Sequence, residues 1–171
     1  MGDPYAEAML IGVISDTHGY IDPRLAAAFA GVDAILHAGD VGGVPALEAL
    51  QQIAPLFAVY GNNDERLGRL GLPLRLDIEL GGVRAHIVHQ LPHARPGRST
   101  QVVVFGHSHR SVIERRGEVL YVNPGAAGRA GFHRLQTVAL MSVAAGRVED
   151  ARIVELGARI PMPRPRAARG P

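Results

Sequence analysis

The 171-residue chain has no cysteine, no tryptophan and no lysine. Without cysteine, disulfides and thiolate metal sites are excluded. No run of about 18 apolar residues is present, so no membrane-spanning helix is expected. The N-terminus lacks a basic region followed by an apolar core, so no signal peptide is expected and the cytoplasm is the expected location. All 18 basic residues are arginine. The sequence pI is about 9.5, yet the basic excess is local: Arg159, Arg164, Arg166 and Arg169 all lie in the last 13 residues. The rest of the chain holds 14 arginines against 16 acidic residues, so charge does not make the body a nucleic-acid-binding surface. What is present in quantity is apolar material, 47% of residues, enough for a full core in one domain.

Read in order, residues 1–8 look like a loose leader. Strands are expected over 9–15, 34–37 and 56–60, with helices over 24–30 and 44–53 between them. Asp22 is the expected N-cap of the first helix, Pro23 its first residue and Gly31 its stop. This β-α-β-α-β order implies parallel strands with right-handed crossovers. The pattern then turns to β: 74–80 and 83–88 joined by Gly81-Gly82, then 102–105, 111–115, 119–122, 137–143 and 147–154. The second half must form or extend a second sheet. The expected fold class is α/β: two packed β-sheets flanked by helices, a single domain over 1–156. Residues 157–171, rich in proline and arginine, read as a disordered tail.

Function is written at the strand ends. Val102-Val103-Val104-Phe105 stops at Gly106-His107-Ser108-His109. Four other apolar runs stop at metal-ligand residue types: at Asp16 and His18, at Asp40, at Asn62, and at His89. Parallel sheets place such residues together at the C-terminal ends of their strands. Asp, His and Asn donors suit Mn²⁺, Fe, Ni²⁺ or Zn²⁺. Six or seven ligands exceed the need of one catalytic ion, whereas two ions about 3.5–4 Å apart and bridged by a carboxylate would use them all. Such a pair activates a bridging hydroxide and neutralises phosphoryl oxygens, the chemistry of phosphoester hydrolysis.

In their order and spacing, Asp16-x-His18, Gly39-Asp40, Gly61-Asn62-x-Asp64, His89 and Gly106-His107-x-His109 resemble the calcineurin-like metallophosphoesterase superfamily. Asn123-Pro124-Gly125-Ala126-Ala127-Gly128 resembles the Asn-Pro-Gly-Ser loop of its small bacterial and archaeal phosphodiesterase branch. The resemblance covers residues 9 to about 155. It implies the α/β/β/α sandwich of that family, with Asp16, His18 and His109 on one ion, Asn62, His89 and His107 on the second, and Asp40 bridging. It implies Mn²⁺ as the favoured metal, with Ni²⁺, Fe²⁺ or Zn²⁺ as alternatives. A phosphodiester is the expected substrate, with Asp40, Asn62 and Asn63 as the residues acting on it; nucleic acid enters only as substrate, no membrane is involved, and a homo-oligomer stays open. The rival readings are a non-catalytic scaffold resembling the retromer subunit of this fold, and a phosphomonoesterase or nuclease.

Two departures stand out. The family's histidine after the ligand Asn is replaced by Asn63, which removes a proton donor. Gln90 stands where glycine often follows the fourth-motif histidine, and the short stretch from His89 to Val102 leaves no room for the family's usual helix there. Among the remaining polar residues, His37 is expected to pack beneath the site, and Asp64 to orient a ligand or cap the next helix. Arg129 and His133 receive no role.

Overall fold

The computed structural model describes residues 8–163; residues 1–7 of the expected leader and 164–171 of the expected tail lie outside the described residues. The elements are β1 (Met9–Ile14), α1 (Leu25–Ala28), β2 (Ala34–His37), α2 (Val44–Gln51), β3 (Leu56–Ala58), β4 (Arg75–Leu80), β5 (Val83–Val88), β6 (Val102–Val104), β7 (Ser111–Arg116), β8 (Val119–Pro124), β9 (Leu135–Ala144) and β10 (Arg147–Ala158). Short 3-10 segments cover Asp64–Gly71 and Leu91–His93.

Ten strands build two five-stranded mixed sheets, in the orders β10-β9-β1-β2-β3 and β4-β5-β6-β8-β7. β1, β2 and β3 are parallel, with Ile14 opposite His37 and His37 opposite Ala58. Their following loops therefore leave the sheet at one level, bringing Asp16, Asp40 and Asn62 together. In the second sheet β5, β6 and β8 are parallel, with Ile87 opposite Val104 and Val104 opposite Val122, so His89 and the loop after β6 emerge side by side.

The core has two layers. Ile11, Val13, Leu36, Ile87, Val104, Val122 and Met141 fill the space between the sheets. Ile14, Ile35, Val138 and Leu140 on the other face of the first sheet pack against Leu25, Phe29 and Leu50 from the helical side. Strands with both faces covered read as continuous apolar runs, as β2 (Ala-Ile-Leu-His, wholly buried) does.

The structure differs from the sequence reading at several places. β9 and β10 return to the first sheet, with β9 running antiparallel to β1 and Ile11 opposite Met141. Asp22 does not cap α1, whose N-cap is Arg24 without a side-chain bond. Both Asp22 carboxylate oxygens are taken by Arg24, through its backbone N–H and its guanidinium at 2.7–2.9 Å. β10 runs to Ala158, past the expected start of the tail at 157. Arg159 and Ile160 then stay attached: the Arg159 N–H donates to Arg134 O at 2.9 Å and the Ile160 N–H to Gln136 Oε1 at 2.8 Å. As expected, no long helix joins β5 to β6; a 3-10 turn of three residues is all the regular structure there.

Candidate metal centre

The loops that carry the histidines and aspartates bend at those residues themselves. Asp16, His18, Asp40, His107 and His109 all have positive φ, between 48° and 70°. Glycines precede three of the candidate ligands: Gly39 before Asp40, Gly61 before Asn62 and Gly106 before His107. Of those, only Gly39 has positive φ, at 92°. Gly61 and Gly106 serve proximity instead: a Cβ on Gly61 would collide with the Asp40 carboxylate, and one on Gly106 with Ser15 Oγ.

The result is two groups of donors sharing a carboxylate: Asp16, His18 and His109, and Asp16, Asp40 and His89. Asp16 Oδ1 lies 3.2 Å from His109 Nε2 and 4.0 Å from the Nε2 atoms of both His18 and His89. Asp40 Oδ2 lies 3.3 Å from His89 Nε2 and 3.8 Å from His18 Nε2, so it too reaches both sides. Asn62 Oδ1 approaches His89 Nε2 to 3.1 Å. His107 joins through its ring, 5.2 Å from that of His89, while its N–H donates to Asp16 Oδ2. All seven residues expected as ligands thus meet at one end of the sandwich. His107, exposed, lies outside the two tightest groups.

These groups fit divalent cations. Asp16 Oδ1 and His18 Nε2 are buried and have no hydrogen-bond partner. A buried carboxylate oxygen and a buried imidazole nitrogen are costly to leave unpaired. Their 4.0 Å separation is about twice a Zn–N or Zn–O bond of ~2.0–2.2 Å. Oxygen and imidazole donors without sulfur suit Mn²⁺, Fe, Ni²⁺ or Zn²⁺.

Electrostatics follow from the same contacts. Burial pushes the Asp40 carboxyl up, but the hydrogen bond and charge of His89 and two N–H donors of Asn63 outweigh it, holding the carboxyl well below the usual range. Burial pushes His89 down; Asp40, Asp16 and the Ala38 carbonyl, 2.7 Å from Nδ1, together raise it above the ordinary value. His37 is enclosed, and desolvation lowers its pKa to about 4. Its Nδ1 accepts the Gly39 N–H, and its Nε2–H meets Thr17 Oγ1, whose hydroxyl donates to Val41 O. His37 is therefore a neutral strut, as its position before the Asp40 loop suggested.

Further residues support the centre from around its donors. Asp64, fully buried, accepts the N–H groups of Val41, Gly42 and Gly61 at 2.9–3.0 Å and so ties the Asp40 loop to the Asn62 loop. Asn123 holds the β6 loop, donating to Gly106 O and Ser108 Oγ while accepting the Gly125 N–H. Gln90 donates to Asn62 Oδ1 at 3.2 Å. His133 sits 5.2 Å, ring to ring, from His109, its Nε2–H donating to Gly128 O and its Nδ1 buried without a partner. Arg129 lies over the Tyr20 ring at 4.1 Å. Nothing in local periodicity marks either residue, because both are placed by the return of the chain into β9.

Residues 9–146 match the family model described as the calcineurin-like phosphoesterase superfamily domain. The chain is 31% identical over 168 residues to a probable metallophosphoesterase of Methanothermobacter thermautotrophicus, covering 89% of this chain and 95% of that protein. It is 28% identical over 139 residues to a phosphodiesterase of Methanocaldococcus jannaschii, covering 68% and 83% respectively. Among solved structures, an archaeal phosphodiesterase superposes with a TM-score of 0.72 at 24% identity, covering 86% of this chain and 99% of that one. Vps29 of Entamoeba histolytica does so with a TM-score of 0.68 at 20% identity, covering 86% and 99%. The likeness to both solved structures is one of fold.

Proposed function

The chain belongs to the calcineurin-like phosphoesterase superfamily, and on that premise we propose that it is a dinuclear metal-dependent phosphodiesterase of the cytoplasm. The observation that carries this reading is the pair of unpartnered buried atoms, Asp16 Oδ1 and His18 Nε2, facing the Asp40–His89–Asn62 cluster. A phosphodiesterase among the relatives supports the diester reading. Asp16, His18 and His109 would hold one ion, Asn62, His89 and His107 the other, with Asp40 shared. When bound, such ions supply Lewis acidity at phosphoryl oxygens and lower the pKa of water. Mn²⁺ is the ion we expect.

The chain's own contribution is placement. Asp40, anionic and only 2% exposed, presents one negative charge between two imidazole groups. Asn62 and Asn63 stand exposed at the mouth and offer neutral N–H donors to phosphoryl oxygens. Neither carries a titratable proton. His37 is sealed beneath the centre and stays neutral, so it does not protonate a leaving oxygen. Diesters with acidic leaving groups are therefore the favoured substrates.

The test is hydrolysis of bis(p-nitrophenyl) phosphate and p-nitrophenyl phosphate by the Mn²⁺-loaded protein, with metal counted by elemental analysis. The diester should be the better substrate, and two ions should bind per chain. A preference for the monoester, or one ion with no second even in excess metal, overturns the corresponding half of the reading.

The pH dependence of stability has three contributions at the centre, and the depressed His37 pKa supplies one that is present above the unfolded value of about 6.5 and lost as pH falls toward about 4. The depressed Asp40 pKa contributes stability present above the unfolded value of about 3.9, and this is lost as pH falls through the folded value. The raised His89 pKa contributes stability present below the unfolded value of about 6.5, and this is lost as pH rises through the folded value. The melting temperature of chelator-treated protein should therefore fall as pH rises above about 6.5. Added Mn²⁺ should reverse that trend, because metal requires neutral imidazole. Scanning fluorimetry with chelator and with Mn²⁺ checks both; a chelator-treated melting temperature that climbs through this interval would contradict the His89 assignment.

A further inference from the structure

Two recesses lie beside the centre, one much smaller than the other. The one beside Asn62 and His89, walled by Tyr60 and Leu74, has about 40 Å³, far below the ~300–1,000 Å³ of small-molecule sites. The one beside His107 and His109, bounded by Ser108, Arg110, Phe132 and His133, encloses about 510 Å³, within the ~300–1,000 Å³ of small-molecule sites. Of these two recesses, the second is the one with room for a bulky substituent of a diester whose phosphorus lies at the centre.

That side carries an unusual wall. Phe132 is 103% exposed, so its ring touches nothing in the fold. The other exposed large apolar residues, Val44, Leu67, Leu74, Leu135 and Met162, are between 37% and 55% exposed and so rest partly on the body. Phe132 is held at the rim by fixed neighbours: His133 is bonded to Gly128 O, and Gly131, at φ 120°, passes so close to His109 that a Cβ there would collide with Nδ1. Arg110, exposed and lining the same recess, makes no ion pair among the described residues. A free aromatic face and a free guanidinium lining one recess suit a planar ring attached to an anion, through stacking and cation–π attraction.

We propose that this recess is the subsite for one substituent of the phosphoester and that it accepts a planar aromatic ring, aryl or nucleobase, stacked on Phe132. The assignment rests on the phosphodiesterase reading for its substrate, but it can be tested by binding alone. Affinities of the Mn²⁺-loaded protein are measured calorimetrically for two ligand pairs, phenyl phosphate against methyl phosphate and adenosine 5′-monophosphate against ribose 5-phosphate. Stacking of a base on an aromatic side chain corresponds to about 5- to 150-fold in affinity, and the ring-bearing member of each pair should be tighter by a factor in that range. Phe132→Ala should bring the ratio close to one, and Phe132→Tyr should preserve it. A ring preference in both pairs identifies a nucleobase-sized site; one in the phenyl pair alone identifies an aryl site. Ratios near one in both wild-type pairs, or ratios that survive Phe132→Ala, overturn the subsite. Because Phe132 packs against nothing, its removal does not threaten folding. Turnover of bis(p-nitrophenyl) phosphate on the same preparations separates the two readings. Ring preference without turnover removes the enzyme reading and keeps the subsite, and turnover without ring preference does the reverse.

Discussion

Replacing Asp40 with asparagine should lower kcat/KM for bis(p-nitrophenyl) phosphate by at least about 10³-fold while leaving the fold intact. Metal-assisted charge stabilisation is worth several kcal/mol, at about 1.36 kcal/mol per tenfold, and Asp40, like Asp16, is an anion that reaches imidazoles of both donor groups. Its Oδ2 is 3.3 Å from His89 Nε2, 3.8 Å from His18 Nε2 and 2.6 Å from Asn63 Nδ2. An asparagine amide there removes the shared charge. It also sets an N–H₂ group against either the Asn63 donor or the imidazole side. The fold should persist, because asparagine tolerates the left-handed backbone that residue 40 adopts at φ 55°. Circular dichroism establishes folding, elemental analysis the loss of bound metal, and the diester assay the loss of rate. Full activity in Asp40→Asn would remove the bridging role. A wild type that loads Mn²⁺ and hydrolyses no phosphoester would favour a scaffold.

The second large effect is a gain. Asn63→His should raise activity on diesters of poor leaving groups, where a general acid is worth about 10²–10⁴ in rate. Asn63 is exposed at the mouth, and both its backbone N–H and its side-chain amide donate to Asp40, at 2.9 and 2.6 Å. It is thus beside the reacting group and cannot supply a proton. A phenolate departs without protonation; an alkoxide does not. In the wild type, kcat/KM across aryl and alkyl diesters should fall steeply as the leaving-group pKa rises, and Asn63→His should flatten that slope. A slope already flat in the wild type means that another residue donates. His37 is excluded by its enclosure and its pKa of about 4, which leaves His93, at the edge of the small recess, and His133, lining the large one, as the ones to replace next.

The two predictions depend on residues that were visible before any coordinates. Asp16, Asp40, Asn62, His89 and His107 each end an apolar run, and strand-end position survives translation from sequence to space because parallel strands share a direction. The β4–β5 hairpin was equally plain, since Gly81-Gly82 separates two alternating runs. Sheet membership was not: β9 reads like any apolar strand, and only long-range pairing with β1 decides that it closes the first sheet and not the second. Asp64 was recognised as supporting but not as a clamp, because its three N–H partners come from two loops brought together by the fold. Asp22 differs for a simpler reason: its carboxylate holds the Arg24 guanidinium as well as the Arg24 backbone N–H. The His133 and Phe132 placements follow from the course of the loop into β9, which has no periodicity to read.

Five residues of the centre, Asp16, His18, Asp40, His107 and His109, stand in a backbone region that glycine occupies freely and other side chains do not. For a non-glycine residue that posture costs on the order of 1–3 kcal/mol, less for aspartate, and all five side chains that incur it are ones the proposed metal centre would use. Robustness and reactivity are therefore opposed here by construction. Laboratory evolution that rewarded heat survival alone would convert these positions to glycine early, leaving the apolar layers beneath untouched. A hardened descendant of this chain would keep its shape and lose its trade.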